Sequence, residues 1–97
     1  VTYRLHPEAA LEHERQAAYY EERVGGLGSK YHAATLQAIS KAIEAPHQFK
    51  VVRQPNLQQV RLQGFPFTVI YRHVGGTVQV LAVSHHRRHP DYWATRA

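Results

Sequence analysis

The chain has no cysteine and no methionine, a single tryptophan, and in its second half a single acid, Asp91. Without cysteine, neither a disulfide framework nor a Cys-based zinc site can form, which fits a reducing compartment. No apolar run approaches the roughly 20 residues that span a bilayer. No N-terminal stretch has the basic, apolar, small-residue order of a signal peptide. These absences predict a cytoplasmic protein without a membrane segment. Internal repeats, low-complexity tracts and interdomain linkers are also missing, so the 97 residues are expected to form one domain, 1–97, around one modest core.

The scarcity of acid is uneven. Residues 1–45 hold five Lys/Arg against six Asp/Glu, a balance of −1, whereas residues 46–97 hold seven against one, a balance of +6. His73, His85, His86 and His89 lie in the same basic half. Such a half suits an anionic partner, a nucleic acid or an acidic protein segment. Otherwise it is a solvated face that aids solubility.

What is present alternates first with period two, then with helical period, then with period two again. Thr2 to Leu5 reads as a short strand. "HPEA" opens a helix, with Pro7 in its first turn and Glu8 at the positive end of its dipole. It runs to about Arg23, with Ala10, Ala17, Ala18 and Tyr20 on its apolar face and Leu11 at the margin. "VGGLG", 24–28, breaks it. Ser29 caps a second helix that starts there or a residue or two earlier. Leu36, Ile39 and Ile43 give that helix a buried stripe widened by Ala38 and Ala42, and Pro46 stops it. Tyr19, Tyr20 and Tyr31 are expected at the seam between helices and sheet. "GGLG" follows a helix rather than a strand, so it is a turn and not a phosphate cradle.

Then come strands: Phe49 to Arg53, a turn at "QPN" 54–56, apolar positions at Val60 and Leu62, Phe67 to Tyr71 after the "GFP" punctuation, a "VGG" hairpin turn at 74–76, and Thr77 to Ser84. The last is apolar on both faces and belongs inside a sheet. The order predicts an α+β fold: an N-terminal strand, an antiparallel helical hairpin, then three to four mostly antiparallel strands in one twisted sheet, with the helices on one face.

Four segments in this order resemble the RelE/ParE superfamily of toxins from bacterial type II toxin–antitoxin modules. "YRLHPEA" is similar to the family's opening strand and helix start. "YYEERVGGLGSKYHAAT" resembles the helix–turn–helix that follows. "FPFTVIYR" resembles an FPY-type strand, and "VLAVSHHRRHPDYW" resembles the last strand and its HxRRxPxYW tail. Two departures stand out: Phe67 replaces the usual tyrosine, removing a hydroxyl, and His86 stands where a small residue is common. The resemblance implies a basic concave face and an antitoxin that wraps it in a hetero-oligomer. It leaves two targets open, ribosome-bound mRNA, cut without metal or cofactor, and DNA gyrase, poisoned without catalysis. A degenerate, non-toxic member that only binds its antitoxin or RNA is the alternative.

Metal-free RNA cleavage needs a base for the 2′-OH, cations for the phosphate and an acid for the leaving oxygen. Arginine suits the phosphate role because its planar fork binds two oxygens. Lys50 and Arg53 on one strand, Arg61 on the next, and Arg87 and Arg88 beyond the last can converge on one face of an antiparallel sheet. The resemblance places Arg88 at the tail arginine, Tyr92 near the catalytic tyrosine and Arg61, loosely, at a mid-sheet arginine. His86 and His89 titrate near neutrality and are weaker acid–base candidates. Trp93 is either the tail aromatic that stacks on a target or a clasp tucked against the fold. His85 and His89 lie four apart and His86 and His89 three apart, but adjacent Arg87 and Arg88 oppose a divalent cation. No metal and no cofactor is expected.

Overall fold

In the computed structural model, residues 2–53, 56–88 and 92–96 are described. The elements are β1 (Thr2–Leu5), α1 (Pro7–Arg23), α2 (Leu27–Glu44), β2 (Val51–Arg53), β3 (Leu57–Arg61), β4 (Phe67–Val74), β5 (Thr77–His85) and a closing 3₁₀ turn, Ala94–Arg96. The strands form one five-stranded sheet in the order β1-β5-β4-β3-β2. β1 runs parallel to β5, and the other neighbours are antiparallel. This is the expected α+β architecture, with β1 joined to the far side of β5. Phe49 and Lys50 precede β2 rather than belonging to it, and Gln54 and Pro55 of the expected turn lie outside the described residues.

Local chemistry explains the hairpins. Gly75 and Gly76 both have positive φ, 56° and 79°, which a two-residue β4–β5 turn requires. Between α1 and α2, Gly26 takes φ 88° and caps α2, so the helix starts two residues before Ser29. The Glu21 carboxylate accepts the Gly26 and Gly28 N–H groups at 2.8 and 3.0 Å. Those donors, Gly26 first, hold its pKa below the ordinary carboxylate range. Gly28 is where the helices touch: a Cβ there would sit 2.4 Å from the Ala17 carbonyl oxygen.

The helices cover one face of the sheet. Tyr31, Ala38, Ile39 and Ala42 of α2 meet Val60, Val69, Tyr71, Val78, Val80 and Val83 in the main core. Tyr20, Tyr31, Phe65 and Phe67 form an aromatic cluster with centroids mostly 5.1–5.5 Å apart. The Tyr71 hydroxyl and the Gln58 side chain both donate to the Pro46 carbonyl, at 2.9 and 2.7 Å, anchoring the exit from α2.

Three expectations about helix faces are corrected. Ala10 and Ala18 are exposed, and α1 instead turns Ala9, Glu12, His13, Gln16, Ala17 and Tyr20 inward. The buried stripe of α2 includes Tyr31 and Thr35, whereas Leu36 remains 36% exposed. Tyr20 and Tyr31 sit in the seam, but Tyr19 is 48% exposed and lies under the Arg23 guanidinium at 4.7 Å.

The polar face of α1 has consequences for stability. His13 stacks on Tyr31 with centroids 4.9 Å apart, and its Nε2 lies 2.9 Å from His32 Nδ1 on α2. One ring must donate and the other accept, so the contact needs at least one neutral imidazole. Burial, and secondarily the His32 charge, lowers the His13 pKa below its ordinary 6.5. The unfolded chain therefore binds the proton more readily. His13 contributes stability that is present above about pH 6.5 and is lost as pH falls through the lower folded value. The thermal midpoint should fall between pH 7 and pH 5, and His13→Gln should flatten that part of the profile. A wild-type midpoint that does not move over this range would contradict the arrangement.

Candidate functional site at the end of β5

The second sheet face is covered by the chain's own tail. Trp93 is 4% exposed and packs with Leu57, Ile70, Leu81 and Ala82. A bulge helps. Ile70 opposes Ala82 while Tyr71 opposes Val80, so Leu81 is an extra residue in β5. Here Trp93 acts as the clasp, its ring buried against the sheet.

The tail is held from the other side of the sheet edge as well. Arg96, 7% exposed, donates both terminal nitrogens to Glu12 at 2.9 and 2.7 Å and also donates to the Leu81 carbonyl at 3.1 Å. Arg96 lowers the Glu12 pKa, chiefly by hydrogen bonding, although burial works the other way. Arg88 lies 3.6 Å from the same carboxylate, and its guanidinium covers the Tyr92 ring at 3.8 Å. Arg96 approaches that ring at 5.1 Å. Tyr92 is thus half-buried between two cations. Burial pushes its phenol pKa up, against a smaller lowering by its hydrogen bond with Ser84.

Beyond β5 the chain turns sharply. His85 Nδ1 accepts the Arg87 N–H at 3.0 Å, and the His85 carbonyl accepts the Arg88 N–H at 3.0 Å. This turn throws Arg87 outward and brings Arg88 back over Tyr92 and Glu12. His86 lies 3.1 Å from the Thr68 hydroxyl through Nε2, and its N–H donates to the Pro66 carbonyl. Thr68 is also the cross-strand neighbour of Arg61 and of Ser84. Arg61, Thr68, Ser84 and His86 therefore occupy one end of the open sheet face.

Two clefts flank this end. One, about 240 Å³, is lined by residues including Gln59, Thr68, Ser84, His86 and Arg88. The other, about 430 Å³, lies between α1 and the sheet and includes Glu12, Arg15, Tyr31 and Phe67. His85 and Arg88 border both.

Of the nominated residues, Arg61, His86, Arg88 and Tyr92 meet at this rim. Arg53 lies nearby, its guanidinium 5.9 Å over the Trp93 ring. Arg87 is exposed beside it. Lys50 is placed by its backbone, whose carbonyl accepts the Gln59 N–H, while its side chain faces solvent. His89 lies outside the described residues. Glu12 and Arg96 were not anticipated. The available signal was an acidic pair, Glu8 and Glu12, one helical turn apart in a chain whose tail is basic. Among the described residues no three His, Asp or Glu side chains are grouped to hold a metal ion. Among them, too, no helix is long and apolar enough to cross a membrane.

Comparison with known proteins agrees with this fold. The family model described as the ParE toxin of the type II toxin–antitoxin system parDE matches residues 3–90. A solved structure titled "Chromosomal ParDE TA system from P. aeruginosa" superposes with a TM-score of 0.62. It is 18% identical, and the match covers 88% of this chain and 95% of that one. At that identity the likeness concerns the fold. No curated protein sequence matches the chain. With 88 of its 97 residues matched in one stretch, the chain belongs to the ParE toxin family of type II toxin–antitoxin systems.

Proposed function

We propose that this ParE-family chain arrests growth from the cytoplasm by binding DNA gyrase through the basic rim at the end of β5, and that a cognate antitoxin neutralises it. The observation that carries the non-catalytic reading is the state of Arg88 and Tyr92. The tail arginine is shared between the Glu12 carboxylate, 3.6 Å away, and the Tyr92 ring, 3.8 Å away. The tyrosine's phenol is raised in pKa by burial, which makes it a poorer base at neutral pH. The absence of a hydroxyl at Phe67, which is 3% exposed, points the same way. Arg61, Arg87 and His86 remain outward, where they suit a protein surface carrying acidic groups.

Cleavage of ribosome-bound mRNA is the second reading. It is favoured by the placement of Arg61 and His86 on either side of Thr68, a cation beside a titratable ring. Tyr92→Phe separates the two. It keeps the ring between its cations and removes only the hydroxyl. Growth arrest on induction should persist within about threefold of the parent chain. Loss of arrest in a variant that is folded and present at parental levels would support cleavage instead. A parent chain that arrests nothing would leave the non-toxic binding module as the reading.

A further inference from the structure

At the other end of the open face lies a second cationic cleft that the rim does not use. In register, Arg4 of β1, Gln79 of β5 and Arg72 of β4 form one cross-strand row. They line a cleft of about 210 Å³ together with His6, Pro7, Leu81 and Arg96. Gln79 and His85 are six residues apart on β5, about 20 Å along the strand, so this cleft is distinct from the rim.

The hydrogen-bond pattern leaves the cleft rich in donors. Arg72 donates its Nε–H to Gln79 Oε1 at 2.8 Å. That bond uses the amide oxygen and turns the amide NH₂ into the free end of Gln79, while the two terminal nitrogens of Arg72 stay available. His6 Nδ1 accepts the Glu8 N–H at 3.1 Å, which leaves Nε2 as the protonated nitrogen. Arg4 has no partner among the described residues. Glu8, 67% exposed, faces Arg96 at 3.4 Å, and Arg96 is already satisfied by Glu12. Arg4 and Arg72 stand on the two strands that flank β5, about 10 Å apart across the sheet with Gln79 between them, so an anion seated over Gln79 would lie between two cations.

We propose that this cleft is an oxyanion site that seats a carboxylate side chain from an acidic segment of a partner protein. The site's chemistry stands on the donors above, while taking that partner to be the antitoxin rests on the functional reading. The planar forks of Arg4 and Arg72 match a carboxylate. Pro7 and buried Leu81 give an apolar wall for the methylene stem of a glutamate. Among the described residues that line the cleft there is no Phe, Tyr or Trp and the one ring is the His6 imidazole, so a nucleic acid finds phosphate contacts there but little base platform.

The test is a titration of the full chain, followed through the side-chain N–H resonances of Arg4, Arg72 and Gln79. The probes are a blocked peptide of alternating Glu and Ala, a thymidine oligonucleotide of equal charge, and inorganic phosphate. The peptide should shift all three side chains. Arg4→Gln/Arg72→Gln should weaken its binding by about tenfold or more, whereas Arg23→Gln/Lys41→Gln, the same charge change on the helices, should not. Gln79→Glu, which places a carboxylate in the row from within, should abolish the shifts at Arg4 and Arg72. Equal losses from both double variants would overturn the proposal. So would tighter binding of the oligonucleotide at these side chains, saturation by phosphate without a response to peptide, or no shift with any probe. None of these readouts depends on the toxin's target, so failure of the gyrase reading leaves them unchanged.

Discussion

Glu12→Gln should destabilise the fold by about 3 kcal/mol, near the lower end of the range for breaking a buried ion pair. The reason is what it leaves behind. Arg96 is 7% exposed, and Glu12 accepts from both of its terminal nitrogens. Glutamine keeps one acceptor but cancels the charge, so a buried guanidinium loses its counter-ion. Glu8 remains 3.4 Å from Arg96 Nε, yet it is 67% exposed and screened by water. Glu12 itself retains 25% exposure, which is why the upper end of the range is not expected. The double variant Glu12→Gln/Arg96→Met should cost clearly less than the two single variants combined, because it leaves no orphaned charge. Urea unfolding of the four proteins checks this, and strictly additive losses would contradict a coupled pair. The stability that Glu12 contributes should be present above about pH 4.5 and lost as pH falls through its lower folded pKa.

Trp93→Ala should cost about 3–5 kcal/mol, the usual range for removing a buried large aromatic. Trp93 covers Leu57, Ile70, Leu81 and Ala82, so its loss opens the second core to water. The consequence is also positional. Trp93 lies between Tyr92 and the turn that carries Arg96. Without the clasp, the tail that fixes the Arg88–Tyr92 stack loses its floor. Trp93→Phe should recover much of the stability by refilling part of the space. Amide exchange should therefore accelerate first at Leu81 and Ile70 in Trp93→Ala. Unchanged protection there would mean that the tail is not what seals this face.

These two residues also mark where the sequence stops being informative. The helical hairpin was legible because its punctuation is local: Pro7 in a first turn, glycines at 25, 26 and 28, and Pro46 after the last turn. The β4–β5 hairpin was legible for the same reason, since two adjacent glycines allow the turn that both strands need. The inward face of α1 was not. Glu12 and His13 are polar, and they face inward because Arg96, Tyr31 and His32 arrive from distant segments to meet them. Burial of a charge depends on its partner, and the partner of Glu12 is 84 residues away. The phase of α2 slipped for a related reason. Tyr31 fills the aromatic seam where it was expected, but Thr35 looks like a surface residue and is buried one turn on, donating its hydroxyl to the Tyr31 carbonyl at 3.0 Å.

The rim shows the same division. That Arg61, Arg87 and Arg88 reach one end of a sheet follows from strand alternation and hairpin order. Which of them is already engaged does not. Arg88 was nominated for a phosphate, and the structure sets it beside a carboxylate and an aromatic ring. Trp93 was open between stacking and clasping until the tail's path was known, because that choice depends on whether the chain folds back over Ile70 and Leu81.

The most direct measurement of the central claim uses purified protein, DNA gyrase and supercoiled plasmid, with a translating-ribosome mRNA cleavage assay run in parallel on the same preparation. The account predicts gyrase-dependent loss of supercoiling or trapped DNA breaks, reduced about tenfold or more by Arg61→Ala/Arg87→Ala, with the mRNA left intact. Codon-phased mRNA cuts with gyrase unaffected would contradict it, and would make the rim of β5 a catalytic site rather than a binding surface.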